Sequence, residues 1–346
     1  MPRRPRAEAG FTLMELLVSI GIFVLLGVLV VGLLRGGVQV WDRGEARRDT
    51  YERASILFDT IRADITCATI HREIEAPGIY PNFTCAPDTL GRPRLWFTRV
   101  GIAPPPVATG TTTGKPGETV MFAAPDLTRR NEIFYVFDTD PVPGKLYRGQ
   151  FAFNNDFGTK LPAKTFDDTD WVRDQCSLLG DGILYLGFRF WSQATQAWDP
   201  AQGQTGPEPR WDSTRFMDKL FDLRRQNLKQ NDLLDDILPH RVEITLTLER
   251  AGASQTAASR LKDGIDRGST SIPADILPVF PEGPGYAKID NEWIRYSKRS
   301  GSGLTGVTRG ERGTLPASHA KGAALRWGDT FTTVAPVPAW KDDPNK

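Results

Sequence analysis

The feature that most constrains this chain is an apolar run from Phe11 to Leu34 broken by a single charge, Glu15. A helix through that run is long enough to cross a bilayer core of about 30 Å. An ionisable group inside such a segment is costly, roughly 2.5–3.5 kcal/mol for a central Asp on insertion scales, and where it persists it marks function. The membrane then reads as a way-station, with Glu15 finding its charge partner in an assembly. Arg3, Arg4 and Arg6 precede the run, so the N-terminus is expected in the cytoplasm and the body outside it. Leu33-Leu34-Arg35-Gly36-Gly37 is a poor small-residue cleavage site, so the apolar segment is expected to be retained.

The helix is not expected to stop at the membrane. Trp41 to Ile65 contains no proline, and Ala54, Leu57, Phe58, Ile61 and Ile65 recur at three- and four-residue steps. Charged residues from Arg43 to Arg62 fill much of the remaining surface. A helix from Phe11 to Ile65 would be roughly 80 Å long, apolar all round in its first half and amphipathic in its second. Gly21, Gly27, Gly32, Gly36 and Gly37 permit bending or close helix packing.

The rest of the chain has the composition of a folded body, with 40% hydrophobic and 25% charged residues. Its formal net charge is +1, and removing residues 1–10 takes away three positives and one negative, leaving −1. That balance gives no polybasic surface and argues against a nucleic-acid partner. Cys67, Cys85 and Cys176 form no CxxC, and no Cys/His set has zinc spacing, so no metal site is expected. Two readings of the thiols stand. Cys67 and Cys85 are the nearest pair, and a disulfide between them would be worth about 3 kcal/mol in the chain-entropy model. Alternatively, all three cysteines are buried and unpaired.

Gly10-Phe11-Thr12-Leu13-Met14-Glu15 resembles the prepilin cleavage and methylation motif of type IV pilins and type II secretion pseudopilins. The shared features are a short basic leader, a Gly before the cut, a Phe after it and Glu as the fifth mature residue. The resemblance implies a membrane prepilin peptidase that cuts between Gly10 and Phe11 and N-methylates Phe11. It also implies that Glu15 pairs with the N-terminal amine of a neighbouring subunit. The competing reading is a simple signal anchor with an incidental glutamate.

Beyond Cys67 the pattern turns strand-like. Leu95–Arg99, Thr119–Phe122 and Ile133–Phe137 are short runs rich in aromatic or β-branched residues. Leu184, Leu186, Phe188 and Phe190 alternate along one strand, and Val242, Ile244, Leu246 and Leu248 along another with one buried and one wet face. Residues 216–234 are a weaker helix candidate. The order of these pieces is similar to the J-type minor pseudopilin of type II secretion, through Leu95–Arg99, Gly144–Arg148, Leu184–Trp191 with Trp198 and Trp211, and Leu238–Ile244.

The fold class expected is α+β and pilin-like: leader 1–10, long helix 11–66 with 11–34 in the membrane, and a β-rich head at 67–270 with 326–340. Residues 271–325 read as a β module inserted between the final two head strands. It contains a hairpin turning at Asp290-Asn291 and a second turn at Ser300-Gly301-Ser302-Gly303. This module is either a contact surface for cargo, secretin or a sister subunit, or a loop with no binding role. The resemblance implies a subunit anchored in the bacterial inner membrane with its head in the periplasm. Its partners would be the I- and K-type minor pseudopilins, the major pseudopilin, the inner-membrane assembly platform and secreted cargo. A minor pilin of a type IV pilus is the alternative within pilin biology. A membrane-anchored protein that never assembles is the alternative outside it.

No HExxH, GxSxG or P-loop is present, so neither enzyme chemistry nor a cofactor is expected. His71, His240 and His319 are scattered and read as structural. Asp167-Asp168-Thr169-Asp170 and Asp232–Asp236 lack the spacing of a calcium loop and read as solvated turns. Trp191, Trp198 and Trp211 read either as packing or as a sugar-binding platform.

Overall fold

The computed structural model describes residues 13–69, 83–87, 93–101, 130–139, 142–152, 169–192, 196–199, 211–212, 238–249, 259–275 and 280–338. It contains an N-terminal apolar helix followed by a β-rich antiparallel body, an α+β arrangement. Residues 1–49 and 50–346 form separate compact units. The expected strand at 119–122 and helix at 216–234 lie outside the described residues.

Helix α1 (Leu13–Thr66) has 54 residues and no internal proline. From Leu13 to Val38 every side chain is exposed, as expected of an apolar surface without polar walls around it. Beyond Thr50 the helix buries one stripe, with Ala54, Leu57, Ile61 and Ile65 at three- and four-residue steps. The helix ends in a turn, where Cys67 N–H bonds the Asp64 carbonyl at 3.1 Å and Ala68 N–H the Ile65 carbonyl at 3.0 Å. The chain then bridges directly to the sheet, Ala68 against Arg99.

The buried stripe covers one face of a nine-stranded antiparallel sheet. Its strands are β1 (Phe83–Pro87), β2 (Pro93–Val100), β3 (Arg130–Asp138), β4 (Gly144–Ala152), β5 (Ser177–Ser192), β6 (Ala197–Asp199), β7 (Trp211–Asp212), β8 (Arg241–Glu249) and β17 (Gly328–Pro336). Their order is β17-β8-β5-β4-β3-β2-β1-β7, with β6 paired to β5. The helix side of the sheet carries Phe83, Leu95, Phe97, Ile133, Tyr135, Leu146, Phe188, Phe190, Val242 and Ile244. Residue 180 of β5 is glycine under α1, and a Cβ there would lie 2.9 Å from Leu57 Cδ2. On the other face Phe134, Val136 and Tyr147 pack with Val172 of the short helix α2 (Thr169–Gln175).

Between β8 and β17 the chain leaves this sheet and builds a second one. Its strands are β9 (Ser259–Leu261), β10 (Ser271–Asp275), β11 (Gly285–Ile289), β12 (Glu292–Tyr296), β13 (Lys298–Ser300), β14 (Gly303–Thr305), β15 (Thr308–Glu311) and β16 (Ala324–Arg326). They pair in the order β13-β14-β10-β9-β16-β11-β12-β15 around a separate core that includes Ile272, Ala287, Ile289, Ile294 and Tyr296. The sheet opens at Ser259, upstream of the expected start at 271, because β9 pairs with β16. The hairpin turns at Asp290-Asn291, with Asp290 at φ +49°, and β13 and β14 turn through Gly301-Ser302.

Two expectations need correction. The strand at Arg241–Glu249 does not keep a wet face along its length: Thr247 and Glu249 are buried. Arg312 and Arg326 of the second sheet reach over them, Arg312 Nη1 donating to Thr247 Oγ1 at 2.9 Å and Arg326 Nη1 to Glu249 Oε1 at 2.9 Å. Neither reading of the thiols holds whole: the Cys67–Cys85 disulfide is not formed and all three cysteines are free, but only Cys85 and Cys176 are buried, Cys67 being exposed. Cys67 lies beside Val100, whose N–H it accepts at 3.1 Å, whereas Cys85 sits opposite Leu95. Those positions are about 17 Å apart along β2, well beyond the reach of a disulfide.

Candidate functional site

The feature with the clearest chemistry is the N-terminal segment of α1. Leu13–Val38 is 26 residues long and apolar enough to span a membrane, a candidate single span. Its charged residues are Glu15, in the first helical turn, and Arg35. A carboxylate in the first turn suits the positive end of the helix dipole. The Glu15 backbone carbonyl accepts the Ser19 hydroxyl at 2.7 Å, a local bond that leaves the helix regular. Around Gly21, Gly27, Gly32, Gly36 and Gly37 no atom beyond the adjoining helix backbone lies within 4 Å of where a Cβ would stand, so the helix surface is open to close approach there. Gly10 and Phe11 lie outside the described residues.

Among the buried charged groups of the described residues, Asp64, Glu292, Glu132 and Lys288 have the most distinctive surroundings, and none was foreseen as a site. Asp64, in the last turn of α1, lies among Ile61 and Ile65 on the buried stripe. It accepts Arg148 Nε at 2.6 Å, Arg148 Nη2 at 2.9 Å, the Tyr135 hydroxyl at 2.5 Å and an Arg99 guanidinium N–H. Burial and the Asp64 charge raise the Tyr135 pKa well above that of a free phenol. Burial acts to lower the Arg148 pKa, but the Asp64 bonds outweigh it and the net change is upward. One carboxylate thus ties the helix end to β2, β3 and β4. The signal in the sequence was an acid on an apolar helix face, which demands cationic partners.

Glu292 is the equivalent in the second sheet. Its carboxylate accepts Arg309 Nε at 2.7 Å and Nη2 at 2.6 Å, Gly310 N–H at 3.1 Å, Ala317 N–H at 3.0 Å and His319 Nε2 at 2.8 Å. Burial opposes its ionisation, yet these donors hold its pKa below the usual value. His319 also contacts Asp290 through Nδ1 at 2.7 Å, so each ring nitrogen faces a carboxylate.

Glu132 behaves differently. It is buried on β3 with the Trp96 indole N–H at 3.3 Å, and burial pushes its pKa up to about 8. Lys288, on β11, reaches the Leu184 carbonyl at 3.2 Å, and burial with the nearby Arg326 charge lowers its pKa to about 8.

The other sequence candidates do not converge. Trp191 and Trp198 meet edge-on at 5.4 Å, but Trp211 is buried in the core against Phe190, so the three make no platform. His319 is structural as expected, and His240 contributes backbone bonds to Trp191 and Val337. His71, Asp167, Asp168 and Asp232–Asp236 lie outside the described residues. Among the described residues no group of three or more His, Cys, Asp or Glu is arranged to hold a metal ion. No protein-family model matches this chain, and no curated protein or solved structure matches it.

Proposed function

We propose that this chain is a pilin-like assembly subunit, a J-type minor pseudopilin of a type II secretion system. The carrying observation is the N-terminal segment: a basic leader, Gly10-Phe11, and Glu15 as the one acid in an apolar helix long enough to span a membrane. A peptidase cut after Gly10 creates an amine at Phe11 four residues before Glu15. An amine and a carboxylate on neighbouring subunits neutralise each other where neither is stable alone in lipid. The open glycine positions along Leu13–Val38 allow the helices to pack closely. The chain acts without chemistry of its own, in the tip complex that starts a periplasmic pseudopilus, with I- and K-type partners ahead of the major pseudopilin.

Mass spectrometry of the membrane-extracted protein tests this reading directly. The expected N-terminus is N-methylated Phe11, and an intact Met1 would sink the proposal. Glu15→Ala is expected to leave membrane insertion intact and to abolish or strongly reduce incorporation into filaments. Equal incorporation of both proteins would remove Glu15 from the mechanism. Copurification with I- and K-like subunits, and loss of cargo export on deletion, separates secretion from a type IV pilus.

A further inference from the structure

The ends of the two sheets are finished differently. An unpaired edge strand is a template for another chain, and short length or charge is the usual protection. At one end of the large sheet β7 has two residues. In the second sheet β13 has three, among them Lys298 and Arg299, and β15 has four, among them Arg309 and Glu311. Strand β17 has nine residues and one charge, Asp329, and among the described residues it pairs with β8 alone.

The pairing with β8 fixes which backbone groups of β17 face outward. The Leu248 carbonyl points at β17, where a Cβ on Gly328 would meet it, and Val337 N–H bonds the His240 carbonyl at 3.1 Å. Odd-numbered residues of β17 therefore bond β8, and even-numbered residues turn their N–H and C=O away from it. Pro336 agrees, since its missing N–H falls on the outward side. Gly328 lies at the seam between the two sheets, beside Tyr286 and Trp293. The open run is Thr330, Thr332 and Val334, all exposed and with no outward backbone partner among the described residues.

This run is complementary to itself. A two-fold axis beside Thr332 sets β17 antiparallel to β17 of a second copy, Thr332 opposite Thr332 and Thr330 opposite Val334. Each outward N–H of the run then meets a C=O of the other strand. A shift of the axis by one residue loses the match. Centred on Phe331, it puts Val334 opposite Gly328 at the seam; centred on Thr333, it puts Thr330 opposite Pro336, which has no N–H. The side chains fit the register at Thr332. Val334, 41% exposed, lies against the Thr330 methyl of the second copy. Asp329 faces Ala335, and the two Asp329 residues stand about 20 Å apart along the strands, beyond effective repulsion. A contact of this kind uses the same patch twice and closes on itself. We propose that β17 is a docking edge for a second copy of this chain, joining two nine-stranded sheets across a two-fold axis at Thr332. The inference rests on the body alone and does not depend on the pseudopilin reading.

The test uses the full chain in neutral detergent, with Cys67→Ser to remove the exposed thiol. One pair of strands is a small interface, so oxidative cross-linking, which traps a transient pair, is the readout. Cysteines are added singly as Thr330→Cys, Thr332→Cys and Val334→Cys. Across the axis the Thr332 Cα atoms are about 5.5 Å apart, within disulfide reach, whereas residues 330 and 334 are each about 14 Å from their counterparts. Thr332→Cys is expected to give at least ten-fold more disulfide-linked dimer than either neighbour. Adding Val334→Pro removes an outward N–H and no bond to β8, and is expected to abolish that dimer with the unfolding temperature unchanged. Val334→Lys, a charge on an exposed edge position, serves if the proline variant fails to fold. No dimer from Thr332→Cys overturns the proposal. So do equal yields from all three cysteines, the result that association through the N-terminal helices alone would give. So does a dimer that survives in a folded Val334 variant.

Discussion

The two sheets reach a unique arrangement by different means. The nine-stranded sheet has long strands, up to 16 residues in β5, and an amphipathic helix laid against aromatic and aliphatic side chains. Most of its order follows from ladder bonds and apolar burial, and Asp64 only pins the helix end. The eight-stranded sheet is made of strands three to five residues long. Such strands contribute few ladder bonds, and Glu292 supplies what they lack by gathering β15, the loop before β16 and His319 around one carboxylate. The difference teaches that strand length and a buried charged hub are alternative sources of definition. A hub is the more fragile of the two, because removing one partner strands the others in a dry interior.

The sharpest way to break this contrast is Glu292→Ala. Arg309 is then left buried opposite no charge, at an expected cost of about 3–5 kcal/mol. Hydrogen exchange should rise throughout 259–326 while β3 and β4 stay protected, and equal loss in both sheets would refute the division. Asp64→Ala should fall at the low end of the same range. Its partners Arg99 and Arg148 retain 16% and 19% side-chain exposure and can recover water.

Next in size is a pH effect confined to the large sheet. Glu132 holds its proton up to about pH 8 in the fold, against 4.5 when exposed. Between those values the folded state carries a proton that the unfolded state has released, so stability falls as pH rises through that window. Glu132→Gln should abolish this slope. Urea midpoints of the two proteins should converge near pH 4, separate as pH rises to about 8 and stay apart above it, with the variant the more stable.

Lys288 at the seam gives a smaller effect of opposite slope. Its pKa is about 8 in the fold and 10.5 when exposed. The buried charge is penalised below pH 8, and the penalty lifts as pH rises toward 10.5. Lys288→Met should stabilise the protein below pH 8 by about 1 kcal/mol, net of the lost bond to the Leu184 carbonyl. A constant difference across pH would reject the assignment. The smallest effect belongs to Arg53→Ala, which removes a half-exposed pair with Asp181 and should cost no more than about 1 kcal/mol.

What could be read in the sequence was whatever one segment states by itself. The apolar run, the stripe at Ala54, Leu57, Ile61 and Ile65, and the hairpin at Asp290-Asn291 are local patterns. The structure places a helix or turn at each. Thr247 and Glu249 misled because the arginines that bury them lie 65 and 77 residues away. Trp211 follows the packing reading of the three tryptophans, but the route was not visible: β7 joins the sheet through β1 and carries the indole into the core. The three-residue strands β9 and β16 are too short to show a period, so the start of the second sheet was invisible. Asp64 was visible as an acid on an apolar face, but its partners on three strands were not.

Strands β8 and β17 are immediate neighbours in register, Glu249 opposite Gly328, although a whole sheet intervenes along the chain. That intervening stretch is sewn shut at its base, Arg260 against Ala324. Closing an open loop costs about 0.6 kcal/mol for each doubling of its length. Once the stretch has condensed, the tether seen by β17 is that of a brief connector. The host sheet therefore accepts a large passenger at little more than the entropy of a hairpin.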